Sequence, residues 1–192
     1  TGSSGEICTN LGLTLQARGN EVFGVDMRSN TWTDKIPTLL QDLTPQFKNY
    51  KGGIGAAHYP HPDVVVHLAA NAKVHELVVD PSRALDNIKI TFNVLEYCRA
   101  NNLPIIFASS REVYGDIHHM LPEKTAVREG IADFVLTESP YSASKIAGEA
   151  LVHSYSRCYG IPYLIFRFSN VYGRYDSDIE RMERVIPLFI NR

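Results

Sequence analysis

The fold of this chain is constrained most strongly by short apolar runs that alternate with helical patterns. Four runs are predicted as strands: EVFGVDM (21–27), DVVVHLA (63–69), LPIIFASS (103–110) and PYLIFRFS (162–169). Because they are apolar almost throughout, they are typical of parallel strands that are buried on both faces. Helices are predicted at 6–18, 82–101 and 141–159 from the spacing of their apolar residues. This order predicts an α/β fold with a doubly wound parallel sheet.

Two segments interrupt the alternation of strands and helices. Residues 44–62 are rich in proline and glycine and are predicted as a loop with room for a short helix. Residues 115–140 form a long connection from a predicted strand end to the next helix. Long loops in compact domains are usually functional, and this one is expected to overhang a ligand crevice. The length fits one domain, which we take as residues 1–192.

The composition argues against several classes of protein. A net charge of −2, with scattered lysines and arginines, gives no expectation of binding to nucleic acid or to an anionic membrane. No apolar run approaches the ~18 residues of a membrane span, and no signal peptide is predicted. Cys8, Cys98 and Cys158 have neither metal-ligand spacing nor that of a disulfide framework. We therefore expect a cytoplasmic protein without a metal site.

The chain opens with TGSSGEIC, in which Gly2 and Gly5 form a turn that runs directly into a helix. Such a turn lets backbone N–H groups and a helix N-terminus approach a pyrophosphate. Asp26, about 20 residues beyond the glycines, fits the ribose 2′-hydroxyl of NAD, although Arg28 leaves NADP open. An ordinary glycine loop and a surface aspartate are the alternatives. The third glycine of the motif is replaced by Cys8.

A tyrosine and a lysine lie one helical turn apart in SPYSASKIAGEAL (139–151). Tyr141 and Lys145 share a helix face, and an ammonium beside a phenol lowers its pKa from about 10. Such a pair can take a proton from a sugar or alcohol hydroxyl. Ser109 and Ser110 end the predicted strand in FASSREVYGD, where a crevice is expected. The alternatives are two solvated neighbours and two serines that merely end a strand.

Eight segments in order carry a resemblance to a family: TGSSGEI, VFGVD, QDLT, VVVHLAA, LDNIKITFNVLEYC, FASSREVYGD, SPYSASKIAGE and FRFSNVYGR. Together they resemble the extended short-chain dehydrogenase/reductase family of NAD-dependent nucleotide-sugar epimerases and dehydratases, of the UDP-glucose 4-epimerase-like type. The resemblance covers practically the whole chain. It implies a Rossmann-like fold with NAD as cofactor.

The resemblance also implies roles for individual residues. Tyr141 matches the general base and acid, Lys145 the lysine that binds the nicotinamide ribose and lowers the tyrosine pKa, and Ser110 the hydroxyl that hydrogen-bonds the reacting sugar oxygen. The implied cofactor-binding residues are Gly2, Gly5, Glu6, Ile7, Asp26, Arg28, Asp42, Leu43, Leu68, Ala69, Ala70, Asn87, Ser109, Tyr141, Lys145 and Phe168. The implied substrate-binding residues are Ser110, Glu112, Tyr141 and Asn170.

Within these sets, Asp42 and Leu43 match the pair that contacts adenine, and Asn170 matches a contact to the substrate diphosphate. Leu68, Ala69 and Ala70 match the strand end beneath the cofactor. Asn87 matches a helix asparagine near the cofactor. A polar helix residue at Asn87 and a turn residue at Asp42 remain the simpler alternatives.

The sequence departs from the family pattern at its two ends. Members have a first strand before the glycine turn and continue after the equivalent of VIPLFINR with a smaller domain that grips the nucleotide sugar. Neither is found in the sequence, so we interpret it as an excerpt of a longer protein. Cys8, which stands where a small residue is usual, predicts looser packing of the first helix.

The resemblance implies NAD-dependent epimerisation of a nucleotide sugar, typically at C4, through a keto-sugar intermediate. A 4,6-dehydratase has Asp-Glu where this chain has Arg111-Glu112, which argues against dehydration, while Glu112 leaves a decarboxylase open. A non-catalytic NAD(H)-binding regulator is a third hypothesis, and the intact set of Ser110, Tyr141 and Lys145 argues against it.

The helices predicted at 82–101 and 141–159 carry more apolar residues than one sheet-facing stripe needs. The additional residues are Phe92, Tyr97, Val152, Tyr155 and Tyr159. They predict a partner surface, and the resemblance implies a homodimer in which these helices form a four-helix bundle. The alternative is that the aromatic residues pack beneath the loop 115–140.

Overall fold

The computed structural model describes residues 1–47, 50–51, 61–115 and 137–176. These residues form two compact units. Unit 1 contains residues 1–42 together with the described residues from 169 onward, and unit 2 contains Leu43–Phe168. Each unit has its own parallel sheet.

Unit 1 is built on the glycine turn. Helix α1 (Glu6–Ala17) begins directly after Gly5, and two parallel strands follow, β1 (Gly24–Asp26) and β2 (Thr38–Leu40). A side chain at Gly24 would collide with Ser3 and Thr38, so this glycine lets the turn lie directly against β1. The α1 and β1 predictions are confirmed with shorter bounds, whereas β2 was missed.

Unit 2 holds the longer elements. Its strands are β3 (Val65–His67), β4 (Ile105–Ser110) and β5 (Tyr163–Phe168), which run parallel in the order β3-β4-β5. The helices are α2 (Val74–Val79), α3 (Ser82–Asn101) and α4 (Pro140–Tyr159), and a 3₁₀ turn spans Arg111–Tyr114. All four predicted strands and all three predicted helices are therefore present in the described chain.

Local sequence signals set the ends of the two long helices. Ser139 caps α4 by accepting a hydrogen bond from the Ser142 backbone, Ser142 reciprocates, and Pro140 occupies the first turn. Gly160, with φ of 71°, ends α4 in the left-handed conformation, and Asn102, with φ of 54°, does the same for α3. The cap at Ser139 fixes where the Tyr141 side chain enters the unit.

Close packing of α4 on the sheet depends on Gly148. A Cβ atom there would lie 2.6 Å from Cζ of Phe107, a fully buried residue of the central strand β4. The helix backbone therefore lies directly over the ring. This contact holds the first turns of α4 against the carboxyl end of β4.

The structure corrects several expectations. The described strands pair in two parallel sheets, β1-β2 and β3-β4-β5, in keeping with the predicted α/β class. Strand β5 was expected to be buried on both faces, yet Leu164 and Phe166 are about half exposed, since β5 is the edge strand of its described sheet. The missed elements, β2, α2 and the 3₁₀ turn, are too short to give a periodic pattern.

The two predicted loops fall largely outside the described residues. Residues 44–47, 50–51 and 61–62 of the first contain no helix or strand, and only Gly115 and 137–140 of the second are described. None of the helices in the described ranges is long and apolar enough to cross a membrane.

Most of the additional apolar residues on α3 and α4 are buried inside unit 2. Tyr97, Val152 and Tyr155 are buried, because the two helices pack on each other. Phe92 is half-buried and Tyr159 is 54% exposed. The surface available to a partner is therefore smaller than the sequence indicates.

Candidate active site

The amino-terminal half of α4 carries the predicted catalytic pair into the interior of unit 2. Tyr141 and Lys145 lie one turn apart, and both are buried. The Lys145 Nζ donates a hydrogen bond of 2.8 Å to the backbone oxygen of Ala108 in β4. It lies 5.8 Å from the centroid of the Tyr141 ring and 5.3 Å from that of Phe107. The alternative of two solvated neighbours is therefore wrong.

Burial dominates the ionisation of this lysine. It lowers the pKa of Lys145 to about 8, and the carboxylate of Glu149 opposes the change. His67 on β3 is fully buried nearby, with its Nε2 3.3 Å from the Thr91 hydroxyl. Burial holds the pKa of His67 well below its usual 6.5, and Lys145 lowers it further, so His67 is neutral at pH 7.

The pKa of Tyr141 is raised, which is opposite to the direction expected from the sequence. Burial is the largest cause because it favours the neutral phenol, and the negative charge of Glu112 adds to it. A hydrogen bond with Ser110 acts in the other direction. Lys145, bonded to a backbone carbonyl, does not offset the burial. Tyr141 is consequently a proton donor at neutral pH until further positive charge is placed beside it.

Ser110 stands at the carboxyl end of β4 and faces Tyr141. Its Oγ also accepts a hydrogen bond of 3.2 Å from the Glu112 backbone N–H, which caps the 3₁₀ turn. Glu112 is partly exposed and pairs with Arg111 at 3.5 Å. The structure thus brings together the three predicted catalytic residues, with Glu112 beside them.

Ser109 differs from its neighbour in having no partner. Its Oγ is buried and makes no hydrogen bond to any part of the chain that the structure describes. A buried hydroxyl without a partner is uncommon in proteins and suggests an unfilled polar contact at this strand end. This fits the predicted place of Ser109 beside a cofactor.

Asn87 bonds to two other segments of unit 2. Its Oδ1 accepts from the Asn71 backbone N–H at 2.7 Å, and its Nδ2 donates to the Asn71 oxygen at 3.0 Å and to the Ser144 Oγ at 3.1 Å. Ser144 in turn donates to the Tyr141 oxygen at 2.7 Å. Asn87 therefore ties α3 to α4 and to the loop after β3, where Leu68–Ala70 are half-buried.

In unit 1, the glycine turn forms a compact cradle beside Asp26. Gly2, with φ of 75°, donates its N–H to Val25 at 2.9 Å and accepts from Gly5 at 3.0 Å. One Asp26 carboxylate oxygen accepts from the Ser4 N–H at 3.0 Å, and the other accepts from the Arg28 N–H at 3.1 Å. The carboxylate is thus held at the end of β1, next to the turn, as a dinucleotide motif requires.

The helix after the turn carries the remaining motif positions. Glu6 and Ile7 lie in its first turn and are half-buried. Cys8 donates a hydrogen bond to the Thr1 oxygen at 3.4 Å, and burial raises the pKa of its thiol. The substituted glycine position is thus filled by a half-buried thiol that is protonated at neutral pH.

The other predicted contacts are distributed between the units. Leu43 is buried, and its oxygen accepts from Asn93 at 2.8 Å, so it serves the core of unit 2. Asp42 is exposed in unit 1. Phe168 ends β5 in unit 2, and Asn170 is exposed in unit 1. The predicted residues are assembled into two sets, one in each unit.

The sequence analysis missed an ion pair between α4 and β5. Arg167 donates two hydrogen bonds to the carboxylate of Glu149, at 2.9 and 2.7 Å. The only signal available was the position of Glu149 four residues after Lys145 on the same helix face.

All 192 residues match the family model described as NAD dependent epimerase/dehydratase family. The chain belongs to this family. It is 35% identical over 147 residues to the dTDP-glucose 4,6-dehydratase of Salmonella typhimurium, a match that covers 67% of the chain and 38% of the relative. It is 31% identical over 191 residues to UDP-glucuronate 4-epimerase 1 of Arabidopsis thaliana, with coverage of 90% and 42%.

Solved structures agree with this assignment. The chain resembles the UDP-glucose 4-epimerase of Thermus thermophilus in complex with NAD, with a TM-score of 0.77, 31% identity and coverage of 91% of this chain and 56% of that one. It resembles the UDP-N-acetylglucosamine 4-epimerase of Methanobrevibacter ruminantium with a TM-score of 0.81, 27% identity and coverage of 99% and 60%. The chain thus spans about two fifths of the length of the curated relatives described above.

These findings confirm the predicted family and the Rossmann-like α/β class. They also agree with the predicted cofactor, since the family is NAD-dependent and the Thermus relative is an NAD complex. Both epimerases and dehydratases are among the relatives, so the family alone does not decide the reaction.

Proposed function

We propose that this protein epimerises a nucleotide sugar, at C4, in an NAD-dependent reaction that passes through a keto sugar. The observation that carries the proposal is the convergence of Ser110, Tyr141 and Lys145 at the carboxyl end of β4. Acid–base chemistry at a hydroxyl needs a titratable group and a hydrogen-bond donor at one oxygen, and the phenol and the serine hydroxyl supply them.

NAD, when bound, supplies the hydride acceptor and donor. The glycine turn with the fixed Asp26 carboxylate suits the adenosine end of a dinucleotide, and the unpartnered Ser109 hydroxyl suits a polar contact at the β4 end. Lys145 keeps two N–H groups beyond its bond to Ala108, and these suit ribose hydroxyls. The residues present therefore fit NAD.

In the reaction, Tyr141 removes the proton from the sugar hydroxyl at its phenolate oxygen and returns it after the keto sugar has turned over. Its raised pKa means that this base requires positive charge beside the ring, which Lys145 and an oxidised nicotinamide would both contribute. Ser110 holds the reacting oxygen by a hydrogen bond and so keeps it within reach of the phenolate.

Decarboxylation or dehydration by the same site is the second candidate. It is favoured by Glu112, whose negative charge acts on Tyr141, and by the similarity to a dehydratase. Dehydration is disfavoured because Arg111, which pairs with Glu112, stands where the resemblance implies an aspartate. A non-catalytic NAD(H)-binding role would leave the buried, converged set without a use.

We also propose that the complete protein is a homodimer that associates through α3 and α4. The apolar surface available for this contact is smaller than the sequence indicates. It consists of the exposed Leu85 and Tyr159, and the Arg99 guanidinium lies 5.2 Å from the Tyr159 ring centroid. An isologous pairing of these helices would cover both side chains and brace the helix that carries Tyr141.

The decisive experiment incubates the complete protein and NAD with UDP-, GDP- and dTDP-sugars, and identifies the products by NMR. Interconversion of C4 epimers supports the proposal, and the Tyr141→Phe variant is the matched control because it keeps the ring and removes the hydroxyl. Release of carbon dioxide or water from the sugar would assign the second candidate instead. If the protein binds NAD but converts none of the sugars, the non-catalytic NAD(H)-binding role is the remaining hypothesis.

A further inference from the structure

A buried ion pair links the catalytic helix to the edge strand of unit 2. Arg167 of β5 donates through Nε to one Glu149 carboxylate oxygen at 2.9 Å, and through Nη2 to the other at 2.7 Å. The side chains are 17% and 6% exposed. Two charges removed from water are retained only with close geometry, and a bidentate pair of this kind supplies it.

The same arginine also touches the turn that carries the catalytic serine. Its guanidinium carbon lies 4.8 Å from the centroid of the Tyr114 ring, in cation–π geometry. Tyr114 is the last residue of the 3₁₀ turn, and Ser110 is the N-cap of that turn. Arg167 therefore contacts both elements that present the reacting groups, α4 through Glu149 and the turn through Tyr114.

Glu149 acts on Lys145 through its charge. The two residues are four positions apart on α4 and share a face of the helix. Burial disfavours the ammonium, and the Glu149 carboxylate is the group that opposes this effect.

The other titratable or charged groups around Lys145 come from four elements. They are Tyr141 on α4, the neutral His67 on β3, Glu112 in the 3₁₀ turn and Arg167 on β5. Of these, Glu112 faces Tyr141, and Arg167 is already paired with Glu149. Among the described acidic side chains, Glu149 is thus the one whose charge raises the pKa of Lys145.

We propose that Glu149 and Arg167 are a positioning pair for the reaction: the pair fixes α4 and the turn relative to each other, and it holds the Glu149 carboxylate on the face of α4 that carries Lys145. Neither residue touches the reacting atoms. The inference rests on the proposed function for its catalytic meaning, but the coupling between Glu149 and Lys145 is a property of the protein alone.

The test measures the titration of Lys145 directly, in the complete protein without NAD or sugar. Lysine side chains are labelled with ¹³C and ¹⁵N, and the Lys145 signal is assigned by its loss in the Lys145→Met variant. Glu149→Gln removes the charge while keeping the shape of the side chain. Asp86→Asn is the control, since it removes a carboxylate from the exposed Asp86–Lys89 pair.

We expect the Lys145 midpoint in Glu149→Gln to fall by about half a pH unit or more, and that in Asp86→Asn to stay at the wild-type value. An unchanged midpoint in folded Glu149→Gln would overturn the inference. If that variant does not fold, the double variant Glu149→Gln/Arg167→Met is compared with Arg167→Met alone, because the two proteins differ only in the Glu149 charge, and the midpoint of the double variant must be the lower one.

Turnover separates this inference from the proposed function. A wild-type protein that converts no sugar refutes the proposed function, while the NMR midpoint still tests the coupling. If wild type is active, we expect Arg167→Lys to reduce turnover at least several-fold with NAD affinity retained, because one ammonium cannot replace the planar, bidentate contact. Wild-type turnover in folded Arg167→Lys would exclude the positioning role.

Discussion

Replacing the buried Lys145 should make the folded protein more stable at neutral pH. Lys145 holds a charged ammonium in an apolar setting between Phe107 and Tyr141, with one backbone carbonyl as its bonded partner at 2.8 Å. Methionine has a similar length and volume and needs no solvation. The Lys145→Met variant therefore removes the cost of burying a charge and loses one hydrogen bond.

The magnitude follows from the lowered pKa of Lys145. The ordinary value of 10.5 falls to about 8 in the folded protein. Each pKa unit corresponds to about 1.4 kcal/mol. At a pH where Lys145 is protonated in both the folded and the unfolded protein, its burial therefore lowers the free energy of unfolding by about 3 kcal/mol. A hydrogen bond contributes about 1 kcal/mol in return, so we expect a net gain of about 2 kcal/mol for the variant at pH 7.

The sign of the pH dependence is fixed by the direction of this shift. Between pH 8 and 10.5 the unfolded chain binds the Lys145 proton more tightly than the folded protein does, so wild-type stability from this group rises with pH. The advantage of Lys145→Met is complete below pH 8 and shrinks as the pH increases. It should vanish near pH 10, where the lost hydrogen bond balances the remaining cost.

Urea denaturation of both proteins without NAD, followed by circular dichroism from pH 6.5 to 10, measures this difference. Lys89→Met is the matched control, because the Lys89 side chain is 49% exposed and its removal should not give a difference that falls with pH. A Lys145→Met protein that is less stable than wild type at pH 7, or a gain that does not depend on pH, would refute the reasoning.

The remaining predictions concern catalysis, cofactor choice, packing and assembly. Tyr141→Phe should lower turnover roughly 10²–10⁴-fold with NAD binding retained in calorimetry, and near-normal turnover would remove Tyr141 from its acid–base role. NAD should bind more tightly than NADP by about 1–3 kcal/mol through the hydroxyl contact of Asp26, so equal affinities in calorimetric titrations would contradict that assignment. Gly148→Ala should destabilise the fold by about 1–3 kcal/mol, since the new Cβ would lie 2.6 Å from Phe107, and an unchanged melting temperature would show that the ring can move aside. The complete protein should be a dimer by light scattering at micromolar concentration, whereas a monomer at that concentration would refute association through α3 and α4.

Local sequence patterns predicted the long elements and the placement of the catalytic pair. The apolar periodicity of α3 and α4 and the apolar run of β4 repeat over many residues, and Ser139, Pro140 and Gly160 mark the ends of α4. The spacing of Tyr141 and Lys145 on one face follows from 3.6 residues per turn and needs no tertiary information. Three-residue strands and the six-residue α2 give no such repeat, which is why β2 and α2 were missed.

The residues implied to bind the cofactor also divide into those whose contacts the sequence predicted and those whose contacts it did not. The glycine turn and Asp26 were predicted as a set, and the structure holds them together by short backbone hydrogen bonds within unit 1. The resemblance implies that Asn87 and Leu43 contact the cofactor, but it does not indicate their bonds within the protein, which are to Asn71, Ser144 and Asn93. A side chain's partners depend on which distant segments fold beside it, and the motif does not contain that information.

The sequence by itself determined which groups share a helix face, because that relation is fixed by the geometry of one continuous segment. Only the tertiary structure decided how those groups ionise. Packing α4 over Phe107 buries Tyr141 and Lys145 together, and desolvation then raises one pKa and lowers the other, against the direction expected for an isolated tyrosine–lysine pair. The Glu149–Arg167 pair joins residues 18 positions apart in sequence, on a helix and a strand, and forms only when both lie against β4.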